Sequence, residues 1–257
     1  MSEHDYQTAI AREVSPSLAS CELTYLDRAP IHVARGIAQH RAYCELLVDL
    51  GLNVVVLPAS PDLADSVFVE DTTVALDEAA VMTTPGAASR RPEVVAVAET
   101  LARYRPLEYP AAGTLDGGDV MHVGRTLYVG QTPRTDAAGT AELARIVAPA
   151  DYRVVPVAVD GCLHLKSGCS YLGRGLVLAN RKWFDASALS DLEIVDVDES
   201  EPWAANTLAV RDTIVMATGF PRTRQRLEER AFRVRTVDVS ELQKAEAGVS
   251  CMSILLA

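Results

Sequence analysis

An α/β fold of five repeated units closed into a ring is what this sequence predicts, on three observations. Short strand-like runs recur at Val54–Pro58, Leu107–Pro110, Val154–Val157, Ile194–Val197 and Val234–Val239. After each comes a segment carrying polar or reactive residues: Phe68–Thr72, Thr114–Asp119, Leu163–Ser167, Ala204–Leu208 and Val249–Ser253. Reference positions in these segments (Asp71, Asp116, His164, Asn206 and Cys251) lie 45, 48, 42 and 45 residues apart, and self-similarity at such a period marks a repeat architecture. An open α/β sheet with coincidental spacing is the competing architecture.

Four polar segments run into a paired-strand pattern: Val74–Met82, Val120–Val129, Ser170–Asn180 and Leu208–Ala217. Short or alternating apolar runs broken by Gly, Asp and Asn are what hairpins require. Helices follow the hairpins. Val33, Ile37, Cys44 and Leu47 fit one face of a helix that stops at Gly51, and Val94, Val97 and Leu101 do the same after Pro92. Pro133-Arg134-Thr135 and Pro221-Arg222-Thr223 both follow a hairpin, and Ser89-Arg90-Arg91 stands at the same place one unit earlier. The first unit is split, its C-terminal strand Ser253–Ala257 pairing beside an N-terminal strand near Thr8–Ala11. Closing five units into a ring removes exposed sheet edges and carries Asp71, Asp116, His164 and Cys251 to a common axis.

Composition sets outer bounds. The 257 residues, 49% hydrophobic and 23% charged, describe an ordinary globular protein, read as one catalytic domain over residues 1–257. An acidic start and the lack of any run near the roughly 18 apolar residues of a membrane span argue against a signal peptide or an anchor. Five cysteines without a C-x-x-C pair argue against a disulfide scaffold and for a cytoplasmic protein. A net charge of −11 disfavours nucleic acid and anionic membrane as partners. A small-molecule ligand is the expected partner, and a homodimer is possible.

Each candidate residue has an ordinary reading as well as a chemical one. A cysteine in an apolar C-terminal strand is usually an inert core group, the reading kept for Cys21, Cys44, Cys162 and Cys169. Cys251 differs because the repeat sets it opposite His164, whose reference pKa of about 6.5 suits a general acid/base. His4, His32, His40 and His122 occupy no equivalent position. Asp116 and Asp119 frame a Gly-Gly pair, which is either a turn or a place where backbone approaches a ligand closely. A carboxylate there can orient His164 as the third member of a triad does. Asp65, Glu70 and Asp71 surround an apolar run, Ser66–Val69, read as a strand, and form a wall suited to a planar guanidinium. Arg90 and Arg134 would hold a carboxylate by the reverse geometry.

Taken together, Asp65–Asp71, Pro85–Arg91, Thr114–Val120, Leu163–Ser167, Ala204–Asn206, Gly219–Arg224 and Gly248–Ser253 resemble the dimethylarginine dimethylaminohydrolases. These are guanidino-modifying enzymes with the pentein fold, a five-bladed α/β-propeller of ββαβ-type repeats with pseudo-fivefold symmetry. The resemblance runs nearly end to end in the same motif order. It implies Cys251 as nucleophile, His164 as general acid/base and Asp116 as its orienting acid. It also implies Glu70 and Asp71 at the guanidinium, Arg90 and Arg134 at the substrate carboxylate, and Leu23, Asp65 and the Ala245 backbone near the amino end. The activity implied is hydrolysis of N-omega-methylated arginines to citrulline through a covalent S-alkylthiouronium, with no metal or organic cofactor. One departure precedes the nucleophile: where the family commonly has an apolar residue then Asp-Gly, this chain has Ala245-Glu246-Ala247, a longer acid and a lost glycine that reshape the cover over the amino end. Two other readings stand beside this one: an arginine deiminase-type hydrolase, and a non-catalytic protein that binds arginine derivatives.

Overall fold

A computed structural model describes residues 5–257; His4 lies outside the described residues. The chain forms five three-stranded sheets. The first joins β1 (Thr8–Arg12), β2 (Asn53–Leu57) and the C-terminal β15 (Ile254–Leu256), so the split unit expected from the sequence is present. The second holds β3 (Thr73–Ala75), β4 (Ala80–Met82) and β5 (Leu107–Glu108), and the third β6 (Val120–Val123), β7 (Thr126–Gln131) and β8 (Arg153–Ala158). The fourth holds β9 (Cys169–Gly173), β10 (Leu176–Ala179) and β11 (Glu193–Asp196), and the fifth β12 (Thr207–Val210), β13 (Thr213–Ala217) and β14 (Arg233–Val237).

All five sheets share one topology. The central strand pairs antiparallel with the strand before it, or in the first sheet with the C-terminal β15, and parallel with the one after. An antiparallel pair closes with a short turn, whereas a parallel pair needs a crossover. Helices supply four of these crossovers: α1 (Val33–Asp49), α2 (Glu93–Leu101), α3 (Ala137–Val147) and α5 (Pro221–Glu229). Between β10 and β11 the crossover carries only the 3-10 turn Ala186–Leu189. Two one-turn helices complete the set, α4 (Leu165–Gly168) and α6 (Ser240–Gln243).

The core shows how the ring closes. Five apolar clusters each lie between two neighbouring blades. Ile10, Leu57 and Ile254 meet Met82, Val97 and Leu101; Val74 and Val81 meet Leu127 and Leu143. Tyr128 and Val157 meet Cys169 and Val177, Leu172 and Leu178 meet Ile214 and Leu227, and Val215 and Val237 meet Ala9 and Tyr43. The fifth cluster returns to the first blade, so the fold is the five-bladed α/β-propeller the sequence predicts.

Two local expectations are revised. Ser66–Val69 is not a strand: it coils through successive turns, Phe68 N–H donating to the Asp65 carbonyl at 2.9 Å, before the 3-10 turn Val69–Thr72. Coiling buries Val67, Phe68 and Val69 while leaving Asp65 and Asp71 on the axial side. On α1 the buried face is Gly36, Gln39, His40, Tyr43, Leu46 and Leu47, and Ile37 is 41% exposed. The face turns because Gln39 docks on α6, donating to Ser240 Oγ at 2.9 Å and accepting from Glu241 N–H at 2.9 Å.

Ile254, on the strand that closes the ring, is 4% exposed. Ile254→Ala should cost about 2–5 kcal/mol of unfolding free energy in urea. Val95→Ala, at a position 62% exposed on α2, should stay within about 0.5 kcal/mol.

Candidate active site

Each polar segment singled out in the sequence folds as one helical turn near the axis: Val69–Thr72, Gly117–Asp119, α4, Pro202–Ala205 and Ser250–Met252. Polar links join these turns in a closed circuit. Gly118 N–H donates to Asp71 Oδ1 at 2.9 Å, and Asp116 Oδ2 meets His164 Nε2 at 3.0 Å. Asn206 Nδ2 donates to the Lys166 carbonyl at 2.9 Å and to Ser250 Oγ at 3.0 Å, and its Oδ1 accepts from Ser250 N–H at 3.1 Å. Ser250 Oγ then donates to Glu70 Oε2 at 2.9 Å, which returns to the first turn. Lys166 Nζ spans the axis to Glu70 Oε1 at 2.7 Å.

His164 is 3% exposed and held from both sides. Its Nε2 faces Asp116, itself fully buried and fixed by Gly86 N–H at 2.9 Å, and its Nδ1 lies 3.7 Å from Asp71 Oδ1. Burial opposes a charged imidazole, but Asp71, Asp119 and Asp116 outweigh it and raise the pKa to about 9. At neutral pH His164 is therefore an imidazolium. Asp71 responds in kind: burial works against its charge, but His164 and Arg90 hold the carboxyl down at about 2. Gly118 makes the close approach possible, because a Cβ there would sit 2.6 Å from His164 Nδ1 and 2.5 Å from Asp71 Oδ1.

Cys251 lies in the last turn, its Sγ accepting from Gly248 N–H at 3.3 Å. Burial first, then the charges of Glu70 and Asp71, push its thiol up to about 12, against the smaller pull of the Gly248 amide and Lys166. The resting site therefore pairs a neutral thiol with a cationic imidazole. A positive charge brought in beside Glu70 and Asp71 would favour the thiolate.

A cavity of about 20 Å³ is lined by Asp65, Asp71, Arg90, Arg134, His164, Ala245 and Cys251, together with Glu22, Phe68, Leu163, Glu246 and Ala247. Most of the expected site residues therefore meet. Asp116 stands behind His164. Glu70 faces a second, axial cavity of about 470 Å³, which also touches Gly117, Lys166, Thr207 and Ser250. Leu23 is half-buried and packs on the apolar cluster that includes Cys251. Arg90 differs from Arg134. Its donors are occupied by Glu93 at 2.9–3.2 Å, by Asp71, and by the Phe68 carbonyl at 3.1 Å. Arg134 makes no ion pair among the described residues, and its guanidinium reaches only Thr24 Oγ1, at 3.4 Å.

Sequence reasoning named Asp119 without its partners and passed over Lys166 and Ser250. Asp119 accepts from Thr132 Oγ1 at 2.7 Å, Thr135 Oγ1 at 2.6 Å and Leu165 N–H at 2.9 Å, tying the Arg134 turn to the start of α4. Its place in the Gly-Gly motif was the only signal. Lys166 and Ser250 are one or two residues from His164 and Cys251 and face the axial cavity, which the repeat register could have indicated. Asp71, Asp116 and His164 bring one ligand atom each within 4.8 Å of one another, a spacing that suits a metal, although here these atoms serve one another, Arg90 and the Gly86 and Gly118 amides. Cys21, Cys162 and Cys169 are buried and Cys44 half-buried, and all five cysteines are unpaired. His40, buried in α1, is lowered by that burial to about 4. No helix among the described residues is long and apolar enough to cross a membrane.

Residues 26–256 match the family model described as N,N dimethylarginine dimethylhydrolase, eukaryotic. The chain is 34% identical to the N(G),N(G)-dimethylarginine dimethylaminohydrolase of Pseudomonas aeruginosa, over 99% of each chain. It is also similar, at 34% identity and a TM-score of 0.93, to a solved Cys-to-Ser variant of the Pseudomonas aeruginosa enzyme complexed with citrulline, covering 98% of this chain and 100% of that one. A solved His-to-Gly variant of a dimethylarginine dimethylaminohydrolase, an adduct with S-methyl-L-thiocitrulline, matches with the same identity, coverage and TM-score.

The charge balance at His164 is testable directly. Asp116→Asn keeps an acceptor for Gly86 but removes a negative charge 3.0 Å from the ring. The imidazole should then titrate about one to three pH units lower, followed by NMR of the His164 ring. An unchanged titration would mean that Asp116 contributes only shape.

Proposed function

This chain belongs to the dimethylarginine dimethylaminohydrolase family, and from that premise we propose that it hydrolyses N-omega-methylated arginines to citrulline and methylamine or dimethylamine. The observation that carries the reading is the meeting of a buried thiol, an imidazolium and a carboxylate wall in one cavity, with Arg134, which makes no ion pair among the described residues, on the same wall. A guanidinium complements the first group of charges, and an α-carboxylate complements Arg134.

The chemistry then follows from the protonation states. A bound guanidinium beside Asp71 stabilises the Cys251 thiolate by replacing a net negative surrounding with a compensated one, and the thiol proton is released to solvent because His164 already carries its own. The thiolate adds to the guanidinium carbon, forming a C–S bond. His164, already protonated, gives its proton to the methylated nitrogen as the C–N bond breaks, and the amine leaves a planar S-alkylthiouronium. Neutral His164 takes a proton from water and the resulting hydroxide adds to the same carbon; the C–S bond then breaks as the adduct's hydroxyl proton passes to the departing sulfur, giving citrulline, the resting Cys251 thiol and an imidazolium ready for the next cycle. Asp116 holds the ring in its reactive orientation. Arg90 acts chiefly by fixing Asp71, because its donors are committed. Every group these steps use lies within residues 65–251, so we assign the reaction to a single catalytic domain, working in the cytoplasm.

The direct test is a substrate panel scored for citrulline and for the amine released. Wild type should turn over dimethylarginine, and folded Cys251→Ser should not. Agmatine lacks the carboxylate, so it should be the poorer substrate by roughly tenfold to a hundredfold, the worth of a desolvated charged hydrogen bond. Arg134→Ala should narrow that gap by weakening methylarginine turnover while leaving agmatine little changed. A parallel decline of both substrates alongside a lower Tm would reduce Arg134 to a structural brace, and a wild-type preference for agmatine would overturn the methylarginine assignment.

A further inference from the structure

The cavity beside Cys251 and His164 measures about 20 Å³, room for about one water and far too small for an amino acid. Whatever binds there must first displace part of the wall. Of that wall, Glu22 belongs to the segment 22–26, which carries no helix or strand and is exposed at Glu22, Thr24 and Tyr25. Besides an exposed contact in which Ser89 Oγ donates to Glu22 Oε1 at 2.6 Å, it is tied down at three places. Glu22 N–H donates to Asp65 Oδ2 at 3.1 Å, and Arg134 donates to Thr24 Oγ1 at 3.4 Å. The third tie is Glu246, whose carboxylate accepts from Thr24 N–H at 3.0 and 3.1 Å, Tyr25 N–H at 2.5 Å and Leu26 N–H at 2.6 Å.

These ties are not equivalent. Asp65 and Arg134 are the groups expected to take the amino and carboxylate ends of a substrate, so binding competes with their hold on the segment. Glu246 gathers three successive backbone amides, which presents an oriented nest to an anion, and charge-assisted bonds of this kind are about twice as strong as neutral ones. Its backbone sits at φ 59, a left-handed conformation unusual for a non-glycine residue, and its neighbours Ala245 and Ala247 line the same cavity. Glu246 is 8% exposed, so these amides hold a nearly buried carboxylate.

The geometry points to Glu246 as the positioning residue that closes the 22–26 segment over the site. It clasps the amides of Thr24, Tyr25 and Leu26, holds Leu23 against the core, and governs how long a ligand is retained. The inference rests on the reading that this cavity is the active site, but not on which guanidino compound it takes.

The test compares wild type with Glu246→Ala and Glu246→Gln, in three readouts on the full chain. Backbone hydrogen exchange at Thr24, Tyr25 and Leu26 should be slow in wild type, fast in the alanine variant and intermediate in the glutamine variant, which keeps one acceptor. Alkylation of Cys251 by iodoacetamide at a fixed alkaline pH should accelerate about tenfold or more in the alanine variant, with no substrate present. KM for the turned-over guanidino compound should rise about tenfold or more while kcat changes less than about threefold. Should Glu246→Ala fail to fold, Glu246→Gln is read alone, with smaller changes in the same directions. Unaltered amide exchange and alkylation in folded variants would overturn the assignment, as would kcat and KM effects that track Tm. Failure of the methylarginine panel with positive exchange and alkylation results would sink the substrate reading and leave the latch standing.

Discussion

Buried charge at the axis is the constraint on which the rest of the structure depends. Asp71, Asp116, Asp119, Arg90 and His164 are all nearly or fully buried, and an uncompensated ion in such a place costs several kcal/mol. His164 is compensated by Asp116 and Asp71 from two other blades, Arg90 by Asp71 and Glu93 of its own blade, and Asp119 by two threonine hydroxyls of its own blade and the Leu165 amide of the next. The circuit through Gly118, Asn206, Ser250 and Glu70 completes the ring. Because the links of that circuit join different repeats, closure of the propeller and assembly of the site are one event. That is why a protein whose blades have strands of two to six residues can fix its reactive groups firmly.

The same constraint sets the reactivity. Concentrating carboxylates around the axis keeps His164 protonated and Cys251 neutral, so the site at rest holds an acid and an unreactive thiol. The missing element is a cation, which a guanidinium supplies on arrival. A hydrolase of guanidino C–N bonds built this way discriminates by charge before any covalent step, and its thiol is protected from adventitious chemistry while the site is empty.

Much of this was legible in the sequence because the repeat is periodic. The spacing of Asp71, Asp116, His164, Asn206 and Cys251 gave the blade count, and the split first blade followed from Ser253–Ala257 and Thr8–Ala11. What stayed hidden depends on tertiary partners. Ser66–Val69 has the apolar content of a strand but coils to set Asp65 and Asp71 toward the axis. The buried face of α1 follows Gln39 and its docking on α6, more than 200 residues on in the chain, not the aliphatic pattern that includes Ile37. The unlike duties of Arg90 and Arg134 could not be separated from sequence either, because each follows a similar turn and Arg90 is committed not by Glu93 alone but by Asp71 and the Phe68 carbonyl, which only the fold brings to it. Glu246 was visible as a departure, but its three amide partners were not.

On the proposed mechanism, Cys251 rests as a thiol and ionises only when a cation occupies the wall. The most direct test is the ultraviolet thiolate absorbance of wild type, with Cys251→Ser as the blank, followed against pH with and without a non-hydrolysed amidine analogue of arginine. Without ligand, the Cys251 signal should be absent at neutral pH and rise only toward about pH 12; with ligand, it should emerge near neutrality. A full thiolate signal at neutral pH in the ligand-free protein, absent from the serine variant, would contradict the account.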